Sequence, residues 1–316
     1  MFIRAIKLSL GALVGIWVAY FLGLTHPLTA GIIVLLSLGK TRRSSIEVAL
    51  VRVKAVGLAF ILASTIFLVA GFTVYSFGLF LFLYIPCILK LKLEDGLVIG
   101  SVLSTHLITA TTVNMDILFN TTILFVIGVS VALVFNLYMP DMSKEIVKDQ
   151  QYIEDRFREL LLMMTTMIRG DKNFDQKVMS DVETFIDHAL ARARMNEENN
   201  LLLDVSYHTN YIKMRKLQFD VLSRMMGLVG KVEMNLSQAD LLADLTEELA
   251  CTLSKTNTGK DLLNKIDDAL AEFQQGELPK SRREFENRAI LFQYLSEFRH
   301  IVELKGEFSH EYGANN

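Results

Sequence analysis

Cysteine is nearly absent: Cys87 and Cys251 are the two among 316 residues. One sits in an apolar run and the other in a charged, helix-patterned stretch. They cannot meet across that boundary, so a disulfide framework is excluded and a reduced intracellular setting is expected. Proline is as sparse. From residue 140 onward only Pro140 and Pro279 interrupt the chain, which leaves long stretches free to be helical, and no alternating β pattern of any length is present. Metal-ligand spacing is missing too: His188, His208, His300 and His310 lack i, i+4 partners of ligating type, so no metal is expected. Gly39-Lys40-Thr41 imitates the end of a phosphate-binding loop, but Val34 stands where the required earlier glycine belongs. Without a nucleotide site this chain is not expected to pump on ATP alone. No paired carboxylates or histidine cluster at active-site spacing appear, so neither an enzyme nor a cofactor is expected.

Basic residues are missing from particular places. Nine lie before residue 140: Arg4, Lys7, Lys40, Arg42, Arg43, Arg52, Lys54, Lys90 and Lys92. Between their clusters run apolar segments 8–24, 27–38, 55–74, 77–89, 97–113 and 117–137, and the alternate turns 25–27, 75–76 and 114–116 contain no Lys or Arg. Basic residues stay on the cytoplasmic side because translocating them is costly and the inner face is negative. Six crossings with both termini inside satisfy all nine charges. The expected architecture is all-α: a six-helix transmembrane domain over 1–140 of a multi-pass cell-membrane protein, then a cytoplasmic helical domain over 141–316. The apolar run near the N-terminus is read as the first of these helices, since no convincing small-x-small cleavage site follows it.

The first part carries nine basic and four acidic groups, the remainder 23 and 31. That acidic balance argues against nucleic acid as a partner; the lipid bilayer is the partner of the first part. Segments 27–38 and 77–89 are short for a span of roughly 20 residues. Either polar flanks extend them, with Thr25 capping the second helix, Pro27 in its first turn and the helix running to Thr41, or they are broken, as transporter helices near a binding region are. Gly11, Gly15, Ala19 and Gly23 form a small-residue stripe for close helix packing, inside the bundle or at a dimer seam.

Segment 97–113 is rich in hydroxyls. At about 100° per residue, Ser101, Thr105, Thr109 and Thr112 share one face. Such a face lines a polar path, or its hydroxyls bond back to their own helix. Arg52 and Lys54 are read at the start of the third helix, projecting to different sides, and either draw anions or snorkel to headgroups. Arg43 and Glu47 have ion-pair spacing. His26 and Asp116 fall in turns on the outer side, a proton-responsive pair if those turns meet and otherwise merely solvated.

Beyond Pro140 the apolar period becomes 3.6. Ile146, Ile153, Phe157, Leu160, Met164 and Ile168 form one stripe; Phe219, Leu222, Met226 and Val229 another; then Leu242, Leu245, Leu249 and Leu253; then Leu291, Leu295, Phe298 and Val302. Five or six helices are expected, with capping boxes at Ser237–Asp240 and Ser281–Glu284. The methionines at 163, 164, 167, 225 and 226 read as core filler.

The stretch Pro27-Leu-Thr-Ala-Gly-Ile, the basic run from Lys40 to Lys54 and Val56-Gly57-Leu58-Ala59 resemble the aromatic acid exporter family. That family sits with fusaric acid resistance-like proteins, and plant malate channels share its membrane architecture. Members show an arginine followed closely by Gly-Thr and a further Gly; Arg52 matches the arginine, whereas Ala55, Val56 and Ala59 stand at the other places. The resemblance implies export of small organic anions such as aromatic carboxylates. Lys40, Arg42 and Arg43 would gather the anion, and Arg52, Lys54 and the Ser101, Thr105, Thr109, Thr112 face would bind it. A single module implies a homodimer with the path at or beside the two-fold axis. The competing reading is a membrane-anchored scaffold or sensor whose large cytoplasmic domain recruits a partner.

Overall fold

A computed structural model describes residues 2–39, 41–138, 141–170, 176–200, 204–231, 237–252, 260–275 and 278–312. Among these are twelve α-helices and no strand. The chain divides into two compact units, 1–140 with 198–201, and 141–197 with 202–316.

The first unit holds α1 (Phe2–Phe21), α2 (Leu28–Ser37), α3 (Arg42–Ala70), α4 (Val74–Lys90), a 3-10 turn (Glu94–Gly96), α5 (Leu97–Ala110) and α6 (Met115–Leu137). Local chemistry sets the starts. Thr41, Thr73 and Asn114 accept from the amides of Ser44, Ser76 and Ile117 and so begin α3, α4 and α6. Left-handed Gly71 (φ 81°) and Thr111 (φ 53°) follow the ends of α3 and α5. Two helices, α3 and α6, are long and apolar enough to cross a membrane; α1, α2 and α4 are shorter apolar helices.

Several boundaries differ from the sequence reading. Helix α2 has ten residues, about 15 Å at 1.5 Å per residue. Thr25 does not cap it, since Pro27 holds the cap position. Nor does it reach Thr41, whose hydroxyl instead starts α3. Because α3 begins at Arg42, the basic residues from Arg42 to Lys54 lie in its first turns, and Arg52 lies about 15 Å along the helix rather than at its start. The turn placed at 75–76 is helical; the chain reverses at 71–73. Helix α5 stops before Thr112, which therefore does not continue its hydroxyl stripe.

Gly11, Gly15 and Ala19 of the small-residue stripe are buried inside the bundle, whereas Gly23 lies exposed beyond the end of α1. A Cβ on Gly15 would stand 2.8 Å from the Val34 side chain, one on Gly31 2.6 Å from Ile16, and one on Gly128 2.5 Å from Ile33. These glycines let α1, α2 and α6 meet at backbone distance. Trp17, on the same helix, is exposed. On the other side of the unit a Gly100 Cβ would sit 2.1 Å from the Tyr84 hydroxyl, which donates to the Ala55 carbonyl. Gly100→Ala is expected to destabilise the unit by about 1–3 kcal/mol through overpacking. Thermal unfolding in detergent measures this, and an unchanged midpoint would show that Tyr84 moves aside freely.

The second unit holds α7 (Ser143–Ile168), most of α8 (Gln176–Asn199), α9 (Ser206–Val229), α10 (Ser237–Thr252), α11 (Lys260–Gln275) and α12 (Arg282–Tyr312). The apolar stripes read from the sequence are buried in one core, including Phe157, Met164, Leu222, Leu249 and Phe298. Leu253 and the Ser237 side chain lie outside the described residues. At the other capping box, the Glu284 amide donates to Ser281 Oγ at 3.1 Å, and Glu284 accepts from the Lys280 amide at 2.8 Å.

Candidate functional site

Leu38, Gly39 and Thr41, between α2 and α3, are not helical, so carbonyls around the end of α2 lack helix-local donors. Side chains from other helices supply them. Arg52, buried on α3, donates from Nη2 to the Leu36 carbonyl at 2.7 Å and from Nε to the Asp95 carbonyl at 3.0 Å. Asn136, buried on α6, donates to the Gly39 carbonyl at 3.2 Å and to Ser45 Oγ. Ser45 in turn donates to the Thr41 carbonyl at 2.7 Å. Irregular backbone is thus held by a guanidinium, an amide and a hydroxyl. Close approach of the 3-10 turn depends on Gly96, whose Cβ would meet that of Ala55 at 2.2 Å. Among the described residues no carboxylate forms an ion pair with Arg52. Its positive charge is met by the two carbonyl dipoles and, without an ion-pair contact, by the nearby Asp95 carboxylate.

Beside this segment lies a cavity of about 220 Å³ lined by Arg42, Ser45, Ile46, Asn136 and Leu137, among others. Arg42 donates to the Leu137 carbonyl and to that of Asn199, which groups with this unit. Lys7 donates to the Tyr138 carbonyl and lies 5.6 Å from the centre of its ring. Two cations therefore sit on the carbonyl end of α6, where the helix dipole is negative. A second, apolar groove of about 430 Å³ opens there, walled by Ile6, Leu10, Val134 and Phe135 with Lys7 and Tyr138.

The other expected residues are distributed as follows. Lys54 is exposed on α3, and Arg43 is tied to Glu47 at 3.1 Å. Lys40 lies outside the described residues. On α5, Ser101, Thr105 and Thr109 donate to the carbonyls of Leu97, Val102 and Thr105 at 2.9, 2.6 and 2.8 Å. Thr112 is exposed beyond the helix end. His26 meets His106, with ring centroids 4.9 Å apart, while Asp116 is exposed in the first turn of α6. Asn136 was missed in the sequence, although a lone amide in an apolar helix is a signal that could have found it.

The second unit contains a buried cation of its own. Arg215, 1% exposed, bonds Tyr211 Oη at 2.7 Å, Gln218 at 2.9 Å and Glu154 at 3.3 Å. Burial pushes the Tyr211 phenol up from its ordinary value, so it stays protonated and donates to Glu154 while accepting from Arg215. This network reads as architecture, since its side chains satisfy one another.

An apolar helical unit with a cationic end and irregular, side-chain-bound backbone has the features of a membrane-embedded domain. Residues 1–139 match the family described as "Aromatic acid exporter family member 1", and residues 143–306 match "Putative aromatic acid exporter C-terminal domain". The chain belongs to the aromatic acid exporter family, a family of membrane transporters. It is 28% identical over 306 residues, 96% of this chain and 95% of the relative, to "Uncharacterized protein YqjA" of Bacillus subtilis (strain 168). Among solved structures it is similar to "Crystal structure of putative membrane protein from Clostridium difficile 630", at 23% identity and a TM-score of 0.47 over 52% of this chain and 99% of that one.

Proposed function

We propose that this protein exports small organic anions, aromatic carboxylates first among them, across the cell membrane. The observation that carries the reading is the short second helix: α2 ends after ten residues, Arg52 binds its last turn, and the backbone after it is held by Asn136 and Ser45 beside a cavity. Within a bilayer, irregular backbone is tolerated where it lines a cavity, and broken helices mark transporter sites.

In this arrangement the six helices of the first unit cross the membrane, with α2 completed by the non-helical stretch that follows it. Both termini and the second unit lie in the cytoplasm, and two copies associate around a two-fold axis. Lys40, Arg42 and Arg43 gather the anion at the cytoplasmic mouth, and Arg52 with Lys54 draws it inward. Ser101, Thr105 and Thr109, whose protons are held by their own helix, line the way without gripping it; Thr112 lies at its outer end. Moving one negative charge outward against an inside-negative potential releases roughly 2.3 kcal/mol per 100 mV, so export runs without nucleotide hydrolysis by this chain.

Purified protein in liposomes should release at least one member of a panel of aromatic monocarboxylates faster than protein-free liposomes do. Collapsing the potential should slow that release. Rates equal to protein-free controls across the panel would overturn the reading.

A further inference from the structure

Helix α5 presents five polar side chains, and four have their protons placed within the helix. Ser101, Ser104, Thr105 and Thr109 all donate to α5 carbonyls. A carboxylate needs donors, and these hydroxyls offer none without breaking a helix-local bond. His106 is different. Its Nε2 lies 3.1 Å from Thr29 Oγ1, and its buried Nδ1 has no partner among the described residues. A buried polar atom left unpaired is costly, and in a transporter such an atom is a candidate ligand contact.

The surroundings supply no competing charge. Between 11 and 39 the ionisable side chains are Tyr20 and His26; between 55 and 89, Tyr75, Tyr84 and Cys87; between 97 and 137, His106 and Asp116. Helix α2, which brings Thr29, has none. Asp116 is exposed in the first turn of α6. The ring that lies against His106 belongs to His26, an exposed turn residue in left-handed conformation at φ 61°. Among the described residues Thr29 has no other acceptor for its proton, and the Thr25 carbonyl one turn back already accepts from Asn120.

We propose that His106 is a solute-contacting residue of this unit: Thr29 donates to Nε2, which places the ring proton on Nδ1, and that buried N–H takes one carboxylate oxygen of an aromatic or otherwise apolar monocarboxylate once the His26 ring moves aside. The proposal deepens the export reading and rests on it. Thr29 is a positioning residue, because it selects the tautomer; the opposite tautomer would present a lone pair that repels the anion.

The test uses the full chain in lipid nanodiscs, with ring-15N-labelled histidine and benzoate as the probe, together with benzoate flux in liposomes. The His106 Nδ1–H signal, identified by its loss in His106→Gln, should shift on adding benzoate. His106→Leu should lower flux by about tenfold or more, as loss of a hydrogen bond to a charged group does. His106→Asn, which keeps a donor, should restore part of it, and Thr29→Val should weaken benzoate binding while leaving the fold intact. A His106→Leu protein with wild-type unfolding temperature and wild-type flux overturns the proposal and leaves export standing. A His106 signal that shifts in a protein without flux supports the contact and removes export. Neither binding nor flux in the wild type overturns both.

Discussion

Arg52→Met is expected to lower the stability of the first unit by about 2–4 kcal/mol, because two backbone carbonyls lose the charged donor that a buried guanidinium supplies. Those carbonyls belong to Leu36, in the last turn of α2, and to Asp95, in the 3-10 turn. Anion flux should fall with stability, since the guanidinium fixes the backbone beside the cavity. Arg52→Lys separates charge from geometry. Lysine keeps the positive charge but offers a single ammonium in place of a planar fork, and cannot reach both carbonyls in the same way. It should melt close to Arg52→Met. If Arg52 acted only by attracting anions, the lysine protein would keep wild-type stability and most of its flux. A thermal unfolding midpoint unchanged in Arg52→Met would remove the clamp from the account.

In the second unit the corresponding expectation is larger. Arg215→Met should cost about 3–5 kcal/mol, the usual consequence of removing one partner of a buried pair and leaving its carboxylate uncompensated. Glu154, Tyr211 and Gln218 all lose their common donor. Combining Arg215→Met with Glu154→Gln should recover part of the loss, because no charge is then stranded. Hydrogen exchange on the full-length protein is the suitable measurement, with deprotection expected in α7 and α9. Equal protection of both helices in wild type and Arg215→Met would show that the network contributes little.

The periodic parts of the structure were legible in the sequence. Stripes such as Ile146–Ile153–Phe157 and Leu291–Leu295–Phe298 are buried, because helix period and apolar content together determine which face turns inward. The glycine stripe of α1 was legible as a packing face, and the structure places Gly11 and Gly15 against Val34. What escaped were bonds from side chains of one helix to backbone carbonyls of another segment. Nothing in the identity of Leu36, Gly39 or Asp95 announces that Arg52 or Asn136 will donate to its carbonyl. The start of α3 was misplaced for a related reason: polar residues from Arg42 to Lys54 interrupt an apolar run without interrupting a helix. His26 and Asp116 were read as solvated turn residues, or as a pair if their turns met. The His26 ring instead meets that of His106.

The interrupted helix bears on the order in which the molecule assembles. The donor to the Leu36 carbonyl is encoded 16 residues later in the chain, and the donor to the Gly39 carbonyl 97 residues later. A ten-residue helix is too short to reside alone across the apolar layer. During synthesis α2 therefore emerges without the groups that complete its inner end, and Asn136 arrives only when α6 is nearly finished. The C-terminal end of α2 consolidates last, after the helices on either side of it.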